Sequence, residues 1–265
     1  MSADDIIKVY GAVELDGRAV RYRIGLIALA TDHTSERDFA RMCDPNQVGV
    51  YVNRVFNENP TTPENLRRME PRLRAAAAEI LPEEDLDAIY YGCTSATVVI
   101  GDAAIEAAIH AAKPGVPVIT PSGAACAGFQ ALGVRRISVL TPYLPETSAP
   151  FVAYFQSRGF EVLNLTCLGM EDDRDMARVK LSTIITAARE TVAPEAEALF
   201  ISCTALRSAE VAGEIEAAIG RPVVTSNQAG AWLTLRRAGI GDAIGGYGRL
   251  LTLPAPEIMR PVASA

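Results

Sequence analysis

Histidine is nearly absent from this chain. The two that occur, His33 and His110, belong to no HxxxH pair, and no CxxC is present. A metal site built on clustered His and Cys ligands is therefore not expected. Basic residues are outnumbered, 25 Lys and Arg against 32 Asp and Glu for a net charge of −7, and they form no cluster. Nucleic-acid phosphates need a basic surface, so no nucleic-acid partner is expected. Apolar runs fall short of the roughly 18 residues of a membrane span. Met1-Ser2-Ala3-Asp4-Asp5 also lacks the basic start of a signal peptide, so the expected location is cytoplasmic, away from membranes. Five cysteines without scaffold spacing are expected to be thiols in such a reducing compartment.

What is abundant is apolar side chain, 49% of 265 residues, enough for a sizeable core. Strand-like runs at 20–30, 48–52, 88–91, 116–120, 137–141, 161–165 and 198–202 alternate with helix-like stretches at 63–80, 96–112, 121–132 and 173–191. Thr62 and Pro63 mark one helix start. Such alternation predicts an α/β fold of parallel sheets covered by helices.

The chain also repeats itself. Tyr90-Tyr91-Gly92-Cys93-Thr94-Ser95 is matched by Phe200-Ile201-Ser202-Cys203-Thr204-Ala205, and the run from Gly115 to Ser122 by that from Gly220 to Asn227. Two pseudo-symmetric α/β halves follow: residues 1–121, completed by 229–265, and residues 122–228. Each cysteine follows a strand-like run, where ligands bind in parallel α/β proteins, and a helix is expected to begin after each. A helix N-terminus favours the thiolate, so both sulfurs are expected to ionise below the ordinary range. The adjacent amides, with the hydroxyls of Thr94, Ser95 and Thr204, offer cradles for a substrate carboxylate. Cys93 and Cys203 are thus the candidate catalytic pair. Cys43, Cys126 and Cys167 have no partner in the pattern and read as structural, His33 as a loop residue with at most a minor role, and Trp232 as core.

Gly92-Cys93-Thr94-Ser95, Thr141-Pro142-Tyr143, Ser202-Cys203-Thr204, the run Pro222 to Ala229 with Trp232, and Gly246-Tyr247-Gly248-Arg249-Leu250 resemble, in order, motifs of the maleate cis-trans isomerases. These belong to the aspartate/glutamate racemase superfamily, together with arylmalonate decarboxylases. The resemblance implies a site in the cleft between two α/β domains and no cofactor. It implies that Cys93 supplies the thiolate that adds to the substrate double bond, that Cys203 supplies the proton, and that Tyr143 donates to a carboxylate or enediolate. The decarboxylases keep one of the two thiols, so two favour isomerase or racemase chemistry.

In that alignment two substrate-binding Asn positions of the isomerases fall on Asp32 and on or next to Asp173. Like charges about 4 Å apart cost roughly 1 to 4 kcal/mol, so the expected substrate is a small carboxylate that also carries a cation. The blocks Ala28 to Phe39 and Asn53 to Pro63 resemble the ectoine-utilization branch, EutA, whose substrates join a carboxylate to a cyclic amidinium. Racemisation, cis-trans isomerisation and elimination stay open, as do decarboxylation and a non-catalytic metabolite-binding role; Asp32 and Asp173 have the alternative of capping loops. A homo-oligomer is expected from the apolar content, and the tail from Pro254 to Ala265 is expected to carry no chemistry.

Overall fold

The computed structural model describes residues 6–256; the residues 1–5 read for a signal peptide and most of the C-terminal tail lie outside this range. The first half runs β1 (Tyr22–Leu29), α1 (Ser35–Met42), β2 (Val48–Val55), α2 (Pro63–Arg67), α3 (Glu70–Ala78), β3 (Ala88–Tyr91), α4 (Thr94–Ile100), α5 (Asp102–His110), β4 (Val118–Ile119) and α6 (Pro121–Leu132). The second runs β5 (Arg136–Tyr143), α7 (Pro145–Ser148), α8 (Pro150–Gln156), β6 (Glu161–Met170), α9 (Asp173–Met176), α10 (Leu181–Thr191), β7 (Ala198–Ile201), α11 (Ala212–Ile219), β8 (Val223–Thr225) and α12 (Ser226–Arg237).

Each half holds a four-stranded sheet of parallel neighbours, in the orders β2-β1-β3-β4 and β6-β5-β7-β8. Because the order reverses between β1 and β3, and between β5 and β7, each sheet has one switch point where a crevice opens at the carboxyl ends. Side chains of β1 alternate between faces. Ile24, Leu26 and Ala28 join a core that reaches through Phe129 and Trp232 into the second half, whereas Ile27 and Leu29 pack on Leu66, Leu73 and Ile105. Both faces are covered, as buried parallel sheets require.

Helices α6 and α12 join the halves. Gly128 of α6 packs near Leu250 and near Val224 of β8, while Gly230 of α12 faces Tyr90 of β3. A Cβ on Gly230 would lie 2.3 Å from the Tyr90 ring, so glycine is what allows α12 to seat on β3. The Thr225 hydroxyl and the Gln228 side chain form a capping box at the start of α12, which satisfies donors that a helix terminus leaves orphaned. Trp232 is fully buried and donates from Nε1 to the Leu253 carbonyl.

Several long helix-like stretches are split. Gly101, at φ 95°, separates α4 from α5, and Pro71 near the start of α3 accounts for the break after α2. After Cys203 no α-helix follows directly: the chain makes turns and a short 3-10 segment, Ala209–Val211, before α11. The helix expected there is replaced by a turn.

Candidate active site

Cys93 sits at the end of β3 and is the N-cap residue of α4; Cys203 follows β7. Tyr143 ends β5 and Asp173 opens α9 after β6. The switch points of both sheets therefore supply one small cavity of about 10 Å³, lined by both cysteines with Thr94, Ser95, Tyr143, Asp173 and Thr204. Larger grooves exist elsewhere on the surface, but none holds these residues. The cavity is closed: both cysteines are 3% exposed.

Thiol ionisation departs from the expectation. Burial pushes the Cys93 thiol up to about 12, the Asp173 charge adding to it against hydrogen bonds from the Ala96 amide and Ser95. Cys203 is raised further by burial and again by Asp173, against Tyr143 and the amides of Leu206 and Ala205. Desolvation outweighs the amides, so the closed cavity holds two neutral thiols. Ser95 Oγ lies 3.8 Å from Cys93 Sγ, and Met176 Sδ 3.9 Å from Cys203 Sγ.

The hydroxyls of Thr94 and Thr204 are committed elsewhere. Thr94 donates to Ser226 Oγ at 2.8 Å and Thr204 to the Gly92 carbonyl at 3.0 Å. They tie the two cysteine turns to the frame, and substrate donors on this side are reduced to backbone amides and Ser95. Tyr143 accepts from Ser202 Oγ at 3.4 Å, leaving its own proton to be donated. Burial and the two sulfurs raise its ionisation well above the ordinary range, so it remains a neutral donor.

The two acids separate. Asp32 is outside the cavity lining. Its Oδ1 accepts from the amides of Thr34 and Ser35, both at 2.7 Å, and its Oδ2 from Ser35 Oγ at 2.6 Å. It caps the start of α1. Asp173 does line the cavity. One oxygen accepts from Thr31 Oγ1 at 2.6 Å, while among the described residues no donor reaches the other. Burial raises its ionisation to about 6, the nearby Asp32 and Asp172 charges contributing against Thr31 and His33. The lining contains a second acid, Glu58, already paired with Arg72, and no Lys, Arg or His.

Residues not assigned to the site from sequence complete it. Asn57, Glu58 and Thr61 line the cavity from the loop after β2. That loop is fastened to the second half by Thr61 N to the Glu171 carbonyl at 3.0 Å and Thr147 Oγ1 to the Thr61 carbonyl at 2.8 Å. The block Asn53 to Pro63 stood out as a motif, but only the fold shows which of its residues face the thiols. His33 is exposed, Cys43 and Cys126 are buried away from the cavity, and Cys167 is half-buried. Among the described residues, no helix is long and apolar enough to cross a membrane.

The arylmalonate decarboxylase from Bordetella bronchiseptica is 34% identical over 152 residues, covering 56% of this chain and 63% of that protein, so the match spans less than two thirds of that relative. A maleate isomerase from Nocardia farcinica is 26% identical over 239 residues, 86% of this chain and 95% of that one. Among solved structures, a cysteine-to-serine variant of the Nocardia farcinica maleate cis-trans isomerase with a covalently bound succinylcysteine intermediate superposes with TM-score 0.80 at 24% identity, covering 87% of this chain and 98% of that one. A doubly substituted variant of arylmalonate decarboxylase in its liganded form gives 0.77 at 27% identity, covering 86% and 98%. The family model described as arylmalonate decarboxylase matches residues 66–251, and the chain belongs to that family.

Proposed function

We propose that this protein is a cofactor-independent isomerase of racemase or cis-trans type, with Cys93 and Cys203 as its paired reactive groups. The observation that carries the reading is that both thiols, one from each sheet's switch point, line a single closed cavity. In a racemisation one sulfur, as thiolate, takes the proton next to a carboxylate while the other thiol delivers its own from the opposite face. Thiolate and thiol then exchange places, and atoms and charge balance. In the cis-trans variant Cys93 adds to a double bond, Cys203 protonates the neighbouring carbon, and elimination follows rotation. Tyr143 stabilises the charge that develops on the carboxylate in either case.

The substrate we infer is a small carboxylate bearing a cation, of the ectoine or hydroxyectoine kind. Support comes from the lining, where the unshared oxygen of Asp173 meets no basic residue. A cation against Asp173 would also neutralise a charge that raises both thiols, so binding would promote the thiolate that the reaction needs. A dicarboxylate would do the reverse.

The test is proton NMR in deuterium oxide with ectoine, hydroxyectoine, aspartate and maleate in separate tubes. Deuterium exchange or epimer formation with the amidinium compounds alone supports the full reading. Conversion of maleate to fumarate supports the isomerase and removes the cation requirement. The family match and the 34% identical relative favour arylmalonate decarboxylation as a second reading; it predicts carbon dioxide release from an arylmalonate and one dispensable cysteine. Under the two-thiol reading, Cys93→Ala and Cys203→Ala each abolish turnover.

A further inference from the structure

The backbone at Cys203 has φ 93°, in the left-handed region where an L-residue persists only when its surroundings impose it. The imposing groups come from outside the turn. Asn227 Nδ2 donates to the Thr204 carbonyl at 2.8 Å, and Thr34 Oγ1 to the Ala205 carbonyl at 2.7 Å. Asn227 is itself fixed, since the same Nδ2 donates to Asp38 Oδ2 at 2.8 Å. Thr34 is unusual as an N-cap residue because its hydroxyl does not cap α1. Asp32 performs that task, which leaves the Thr34 hydroxyl for the turn. Both Asn227 and Thr34 are buried.

We propose that Thr34 and Asn227 are positioning residues for Cys203, holding the Thr204 and Ala205 carbonyls so that the strained turn aims the amides of Ala205 and Leu206 at the sulfur. Those two amides favour the Cys203 thiolate against its burial. Thr34 precedes α1 of the first half and Asn227 begins the helix seated on β3, so the second-half thiol is set by elements packed on the first. The consequence for turnover rests on the two-thiol reading above; the geometry can be tested without it.

The experiment is alkylation with iodoacetamide at pH 9, followed by mass spectrometry of the peptides carrying Cys93 and Cys203. Both sulfurs open onto one cavity, so the ratio of their rates cancels how often the cavity opens. In Thr34→Val and in Asn227→Ala the Cys203 rate falls about five- to tenfold relative to Cys93, because lost amide hydrogen bonds reduce the thiolate fraction. Thr34→Ser keeps the hydroxyl and keeps the wild-type ratio. Gln228→Ala, which removes the capping box and the contact with the Tyr247 carbonyl from the same helix, also keeps it. An unchanged or raised ratio in both test variants overturns the assignment, as does an equal fall in Gln228→Ala. Labelling reads the sulfur and not turnover, so failure of the two-thiol mechanism would leave this result standing.

Discussion

Asp173 carries a stability cost that depends on pH. Its carboxyl is 5% exposed and ionises at about 6, against 3.8 for the ordinary group. A folded-state value above the unfolded one means that the folded protein binds the proton more tightly. Stability therefore falls as pH rises from about 4 to 6, and the full cost is present above 6. Asp173→Asn retains an oxygen for Thr31 and removes the buried charge. It should raise unfolding stability at pH 8 by an amount on the order of 2 kcal/mol, with the gain fading towards pH 4.5; urea titrations at the two pH values read this directly, and a pH-independent effect would contradict it. The same variant should weaken binding of a cationic carboxylate. Asp32→Asn should leave ligand choice unmoved, because Asp32 caps a helix and lies off the cavity. The thiols give a second pH signature. With Cys93 pushed up to about 12, its alkylation in the ligand-free protein should climb roughly tenfold per pH unit from 7 to 10 without levelling. A plateau near neutral pH would mean that the amides, not burial, set the thiol.

At the scale of elements, the close approach of α12 to β3 makes a sharp demand. A methyl at position 230 would enter the Tyr90 ring, and Tyr90 is fully buried with its hydroxyl donating to the Ser226 carbonyl at 3.2 Å. Gly230→Ala should destabilise the fold by about 2 to 3 kcal/mol, measurable as a lowered denaturation midpoint, with the added loss smaller in a Tyr90→Leu background, where the ring atoms that the methyl would meet are gone. This demand was hidden in the sequence, where Gly230 lies among small helix formers and looks replaceable. Other elements were open to reading: the β-branched runs gave the strands, and the duplicated cysteine motifs marked the two switch points. What periodicity missed were the breaks. Gly101 inside an apolar helical stretch carries no signal of its left-handed φ, and the run after Cys203 has helix-forming residues but folds as a turn whose carbonyls bond to Thr34 and Asn227. Asp32 and Asp173 looked equivalent in sequence. Only the fold shows that one faces backbone amides and the other faces the thiols.

Across the whole molecule, the site exists only while the two halves are closed on one another. The thiols come from different sheets, and the loop of Asn57, Glu58 and Thr61 from the first half roofs the cavity by bonding to Glu171 and Thr147 of the second. With both sulfurs at 3% exposure, parting of that clasp is the expected route for a ligand, and loop openings in general occur on microsecond to millisecond timescales. Thr147→Val removes the hydroxyl that holds the Thr61 carbonyl without touching either cysteine turn. It should therefore speed alkylation of Cys93 and Cys203 by the same factor, about three- to tenfold if a hydrogen bond of about 1 kcal/mol is lost from the closed state, leaving their ratio unchanged. This is the opposite signature to that of the positioning residues, which change the ratio. Acceleration of one cysteine alone would show that the two thiols are reached by separate routes, and the picture of one cavity gated by the meeting of two pseudo-symmetric halves would fail.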